Sequence, residues 1–122
     1  MNPFKDGWTV EDMEAAIGRN LPDELLYVPV WVSLDPPDCE WAQDVCLRLS
    51  SHPHYIVRGN AILGFGHLAR TCGVLDAERV KPLIERGLRD ADEYVRGQAD
   101  SAADDVTHYL GWQIEGHQSG EA

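Results

Sequence analysis

Between Pro3 and Trp112, apolar residues recur at three- and four-residue intervals, which predicts six helices joined as three antiparallel hairpins. Val10, Met13 and Ile17 mark the first, with Thr9 as its cap, Asp12 in the capping-box position and Asn20 at its end. The second starts near Pro22 and Asp23 and carries Leu25, Leu26, Val28 and Val32, with Pro29 interrupting and kinking it. The β-branched run VPVWV (28–32) leaves a short strand open as the alternative there. Asp35-Pro36-Pro37 breaks the chain and starts the third helix, with Asp35 as cap, proline in the first turn and Trp41, Val45 and Leu49 on one side. After the turn SSHPHY, the fourth helix runs from about His54 to Thr71 and stops before Gly73. Asp76 caps the fifth, striped by Val80, Leu83, Ile84 and Leu88, and RDADEY leads into the sixth, from about Asp92 to Leu110. The closing EGHQSGEA offers no apolar anchor, so one domain over 1–112 and a flexible tail over 113–122 are expected.

Two of these helices open on the same phrase. VRGNAILGFGH begins at Val57 and VRGQADSAADD at Val95, an offset of 38 positions. At that offset Val57, Ala61, Gly64 and Leu68 fall on Val95, Ala99, Ala102 and Val106, one helical face in both, with small residues in the middle where a second helix could come close. Upstream, Val45 and Cys46 fall on Leu83 and Ile84. A unit of this length cannot bury its apolar face alone, whereas stacked copies can. The fourth helix is apolar around much of its circumference, with Ile62, Leu63 and Phe65 beside the Val57 face, as a middle unit would be. The sixth carries Asp100, Ser101, Asp104, Asp105 and His108, as a terminal cap with one side in water would.

The stretches DADEYVRGQA (90–99) and, more loosely, SHPHYIVRGNA (51–61) resemble the HEAT and HEAT-like helical repeat. The likeness is good over 76–110, fair over 40–72 and weak over 9–34. It implies a short α-α superhelix, an all-α fold. By that resemblance Pro82 is the proline common in the first helix of a unit, and Arg58 and Arg96 bond acidic or carbonyl groups between repeats. The first phrase departs from the pattern: its turn offers His52 and His54 where the second has Asp90 and Asp92, which leaves the partner of Arg58 open.

Charge narrows the function classes. The chain of 122 residues has a formal net charge of −11, and the acids lie at its two flanks. Residues 51–75 hold Arg58 and Arg70 and no acid. No basic stripe is present to neutralise phosphates, so nucleic acid is not expected as a partner. An acidic surface steers towards basic proteins instead. No apolar run approaches the roughly 18 residues of a membrane span. The opening MNPFKDGWTVED lacks the basic start and apolar middle of a secretory signal. Cys39, Cys46 and Cys72 are odd in number and form no CxxC pair, which reads as three buried free thiols. Both observations lead to the expectation of a cytoplasmic protein.

Candidate chemistry is sparse. Asp100, Asp104 and His108 share a helix face, where they could hold a divalent metal or simply form a solvated cap. His52, His54 and His67 could make a metal or proton-transfer site with Cys46 or Asn60, at a spacing that matches no zinc pattern. Gly64 and Gly66 lie inside a helix with no preceding strand, so they read as packing rather than as a phosphate loop. No metal, cofactor or catalytic residue is therefore expected. Trp8, Trp31, Trp41 and Trp112 read mainly as packing, with Trp112, beyond the last helix, the best candidate for an exposed anchor.

The expected function is a non-catalytic protein-binding module whose acidic surface engages a basic protein. Asp100, Asp104, Asp105, His108 and Trp112 are the partner-facing residues, with Asn60, His67 and Arg70 as a second set. The small acidic chain is also similar in general character to bacterial immunity proteins that neutralise a toxin such as a nuclease. A small HEAT-like enzyme, a lyase or one acting on DNA bases, is the alternative of a different class, and Asp104 with His108 would be its acid-base pair. A monomer or a homodimer fits, the dimer if a side of the fourth helix is exposed.

Overall fold

A computed structural model describes residues 3–117. Seven helices follow in order: α1 (Val10–Arg19), α2 (Pro22–Leu25), α3 (Val28–Leu34), α4 (Cys39–Leu49), α5 (Tyr55–Thr71), α6 (Ala77–Leu88) and α7 (Glu93–Leu110). No strand occurs among the described residues, and no helix among them is long and apolar enough to cross a membrane.

Local chemistry sets most boundaries. Thr9 and Asp12 close a reciprocal capping box, and Asn20 ends α1 in the left-handed conformation, φ 54°. The expected second helix is divided. Pro22 opens the single turn of α2, and Pro29 sits in the first turn of α3, where its missing N–H has no helical partner to lose. VPVWV is thereby helical. The third expected helix is capped by Asp38, not Asp35, because a residue before proline is driven to extended backbone and two prolines postpone the turn. Asp35 instead ends α3. His54, Asp76 and Asp92 cap α5, α6 and α7 with their side chains.

Pairwise contacts give the arrangement. Asn60 Nδ2 donates to the Leu26 carbonyl at 2.9 Å, and farther along the Thr71 hydroxyl donates to the Ser33 carbonyl at 3.1 Å, so the 26–34 stretch and α5 run side by side in one direction. α7 continues the row: Gln98 reaches Asn60 at 3.0 Å, while Ala102 and Asp105 lie against Gly66. α1, α4 and α6 are linked in the same sense by longer side chains. Glu14 accepts from Trp41 Nε1 (2.8 Å) and Arg48 (2.6 Å), Gln43 accepts from the Asp76 N–H (2.7 Å), and Arg86 donates to the Ser50 carbonyl (3.2 Å). The Arg48 guanidinium beside Glu14 holds that carboxyl below its ordinary range. α5 is the central rod, packed against α3, α4, α6 and α7.

The eight residues of the two matched faces are all buried. α5 meets α7 through Gly59 and Gly66. Gly64 points elsewhere, with Cys46, Pro29 and Ser33 against it. Val80 and Ile84 of α6 join the core, and all four tryptophans pack partly buried at its margin.

Two expectations need correction. Cys39 and Cys72 form a disulfide, with Cα atoms 6.1 Å apart. α5 runs back along α4, so the first residue of one helix meets the residue just past the other, a pairing that an odd count of distant cysteines hides. The bridge removes the thiol argument for a cytoplasmic setting, since such bonds persist mainly in oxidising compartments. Only Cys46 stays free, and burial pushes its thiol up to about 12. The tail is the second. Gly111 turns the chain at φ 70°, and Ile114 returns to the core with only 6% of its surface exposed. The Glu115 N–H then donates to Glu85 at 2.8 Å, and His117 reaches Asp104, also at 2.8 Å. The first half of the expected tail is thus a packed strap across α6 and α7. Residues 118–122 lie outside the described residues.

Candidate functional site

The partner-facing residues expected on the last helix divide between two sides of α7. Asp100 and Asp104 face the strap, and the imidazole beside them is that of His117, at 3.7 and 2.8 Å. His108 stands apart, its ring edge-on to Tyr109 with centroids 4.6 Å apart. Asp100, Asp104 and His108 therefore do not converge, and among the described residues no group of three or more His, Cys, Asp or Glu is placed to hold a metal. Trp112 is half-buried at the start of the strap and packs against the core, its backbone N–H bonded to the Val106 carbonyl.

Asp105 turns the other way, into the seam with α5. A Cβ on Gly66 would lie 2.7 Å from Asp105 Oδ2, so the glycine is what lets this carboxylate settle between the helices. There it has no hydrogen bond or ion pair with any described residue. Burial raises its pKa, a raise that His67, Arg70 and His108 oppose and Asp104 supports. His67, half-buried across the seam, holds Nδ1 3.0 Å from Ser33 Oγ. Burial lowers its pKa; Asp105 opposes that shift and Arg70 adds to it. Arg70 is exposed one turn further along and has no hydrogen-bonding partner among the described residues.

The second expected set is divided as well. Asn60 is 6% exposed and ties three elements together, donating to the Leu26 carbonyl and accepting from Tyr94 Oη (2.5 Å) and Gln98 (3.0 Å). It is a structural residue. His67 and Arg70 join Asp105 and His108 on the outer face of the α5–α7 seam.

Ser33, His67 and Asp105 are the residue types of a hydrolytic triad, but the geometry does not serve nucleophilic attack. The Ser33 hydroxyl is completely buried, 3.2 Å from the Val30 carbonyl and 3.0 Å from His67 Nδ1, and presents no reachable oxygen. An open cleft of about 500 Å³ lies beside the disulfide, lined by Cys39, Glu40, Gln43, Leu75 and Arg79. Arg79 there is engaged by Asp76 at 2.8 Å.

The two phrase arginines behave differently. Arg58 Nη1 donates to the His52 and Pro53 carbonyls, both at 3.1 Å, and Nε and Nη2 grip Asp90 of the following turn at 2.9 and 3.0 Å. The carboxylate partner that its own turn lacks thus comes from the next one. Among the described residues, Arg96 bonds only the carbonyls of its own turn, Asp90 at 2.8 Å and Ala91 at 3.0 Å. No helical unit follows α7 among the described residues to supply a partner.

His117 and the strap were missed from sequence, although Ile114 was a visible apolar anchor beside the acidic tail. No known protein family, no characterised protein and no solved structure matches the chain.

Proposed function

We propose that this chain is a non-catalytic protein-binding module built from HEAT-like helical units, and that it engages a basic protein through the outer face of the α5–α7 seam. Asp105 is the central contact, His67, Arg70 and His108 surround it, and Asp100, Asp104 and Trp112 flank it. The observation that carries the reading is the Asp105 carboxylate, half-buried and without a hydrogen-bonding partner among the described residues. Holding such a group costs stability that His67, Arg70 and His108 offset only in part, since burial is still the largest influence on it, and a cation from a partner would offset the rest. The net charge of −11 supports the same partner chemistry by steering basic surfaces towards the protein. The HEAT-like assignment draws support from the shared register of Arg58 and Arg96 on the carbonyls of their own turns.

The test is a display screen in which immobilised protein selects from random peptides at low and high salt. Peptides bearing Lys or Arg should be enriched, and their binding should weaken with salt. Asp105→Asn, which keeps the shape and removes the charge, should reduce affinity by about tenfold or more. Enrichment of acidic peptides, or basic peptides that bind Asp105→Asn as well as the wild type, overturns the reading.

A further inference from the structure

The turns that open α5 and α7 follow one hydrogen-bonding plan with different side chains. Before α7, Asp90 Oδ1 accepts from the Asp92 N–H (2.9 Å) and Asp92 Oδ1 accepts from the Tyr94 N–H (2.8 Å). Thirty-eight positions earlier, His52 Nδ1 accepts from the His54 N–H (3.0 Å) and His54 Nδ1 accepts from the Ile56 N–H (3.3 Å). Each histidine does with a ring nitrogen what its counterpart does with a carboxylate oxygen. The equivalence has a chemical limit. A carboxylate accepts at any pH above about 4, whereas an imidazole nitrogen accepts only while it carries no proton. With Nδ1 of His52 as acceptor, the proton of the neutral ring sits on Nε2, where it donates to Asn20 Oδ1 at 2.7 Å. Asn20 is the residue that ends α1.

We propose that the His52–His54 turn is a pH-sensitive clasp, which ties the end of α1 to the start of α5 in neutral solution and releases it in mild acid. The inference stands apart from the proposed binding role. Protonating either ring sets an imidazole N–H against a backbone N–H, so the turn loses an acceptor and gains a repulsion together. The surrounding groups do not relieve this. Arg58 of α5 donates to the His52 carbonyl and adds positive charge, and Arg86 of α6 donates to Ser50 and Ser51 beside it. Of the carboxylates in the following turn, Asp90 is engaged by Arg58 and Asp92 caps α7. Tyr55 stacks on the His54 ring at 5.2 Å, and Asn20 is uncharged.

The titration of His52 runs in the direction the clasp requires. Burial chiefly lowers its pKa, and the neighbouring His54 and Arg58 lower it further. A histidine whose folded pKa lies below its ordinary value, about 6.5, gives its full stability above that value and loses it as pH falls through the folded pKa. Arg58 holds the Asp90 carboxyl below its ordinary range, so the second turn keeps its acceptor to far lower pH.

The full chain carries its own control for amide hydrogen exchange measured by NMR. Between about pH 7.5 and pH 5.5, protection of the His54 and Ile56 amides should fall roughly tenfold or more, while that of the Asp92 and Tyr94 amides holds. The double variant His52→Asp with His54→Asp, which copies the second turn, should keep its protection throughout. Nitrogen spectra of the wild-type imidazoles at neutral pH should show His52 protonated at Nε2 alone. Unchanged protection at His54 and Ile56, equal losses in both turns, or a proton on His52 Nδ1 overturns the proposal. Should the double variant fail to fold, the comparison of the two turns within the wild-type chain decides alone.

Discussion

α5 and α7 begin with the same phrase and occupy unlike places. α5 is enclosed by α3, α4, α6 and α7; its glycines at 64 and 66 each meet a neighbour too close for a side chain, and Gly59 lies tight against the Tyr94 ring. α7 is covered by α5, α6 and the strap, and its one internal glycine, Gly97, faces open space. Their far ends are fastened differently too. The residue after α5 is bonded covalently to the first residue of α4, whereas α7 is followed by a strap held through Ile114 and His117. One repeated pattern of small residues thus answers two demands. In the enclosed rod smallness is imposed by neighbours on every side, and in the terminal rod only where α5 and α6 approach.

The covalent fastening gives the largest expected effect. The bridge closes a loop between residues 33 apart, for which loop-closure entropy predicts roughly 3.5 kcal/mol of stabilisation. Replacing Cys39 and Cys72 together by serine should lower the unfolding free energy by about that amount in urea titrations. A thiol reductant should do the same to the wild type and nothing to the variant. A loss below about 1 kcal/mol would mean that α5 is held at that end by packing, as α7 is.

Gly64 tests the enclosure itself. A Cβ there would lie 2.6 Å from Cys46 Sγ, inside a fully buried contact. Gly64→Ala gains about 1 kcal/mol in helix propensity, but the overpacking costs about 1–3 kcal/mol, so a net loss of up to about 2 kcal/mol is expected in thermal or urea unfolding. Adding Cys46→Ala removes the clashing sulfur, and the pair should be non-additive by more than about 0.5 kcal/mol. At the matching position α7 already carries an alanine, Ala102, buried against Gly66. Additive losses would place the strain somewhere other than this contact.

What was legible in the sequence follows the range of the interactions. The Thr9–Asp12 box, the cap at Asp76, the helix starts near His54 and Asp92, and the stop after Thr71 depend on residues a few positions apart, and the periodicity carries them. The equivalence of Val57 and Val95 was legible because a repeat writes its register twice. The facing partners were not. A face of small residues tells that something approaches closely without telling which rod does: Gly64 meets Cys46, Pro29 and Ser33, whereas Gly59 and Gly66 meet α7. The disulfide needed the antiparallel return of α5 along α4, which brings Cys72 to Cys39. The strap was lost because polar composition outweighed the single isoleucine that anchors it. In the candidate site, Asp105 and His108 were read as one stripe with Asp100 and Asp104. Helical spacing alone does not reveal that the chain's end would occupy one side of α7 and α5 the other.

The smallest expected effect separates the two rods most directly, because Gly59 and Gly97 are the same position of the phrase. At Gly97 a methyl group meets nothing within 4 Å, so Gly97→Ala should gain about 0.5–1 kcal/mol from helix propensity alone. At Gly59 the same methyl lies 3.0 Å from the Tyr94 ring and 3.3 Å from Gln98. Both side chains hold Asn60, which in turn bonds the Leu26 carbonyl, so displacing the ring loosens a polar link across three elements. Gly59→Ala should therefore forfeit its propensity gain and end neutral or destabilised by up to about 1 kcal/mol. The melting temperature of Gly97→Ala should rise above the wild type, and that of Gly59→Ala should stay level or fall. If both rise, the seam between α5 and α7 has room to spare, and the contrast between an enclosed and a terminal rod fails at the place where the sequence makes them most alike.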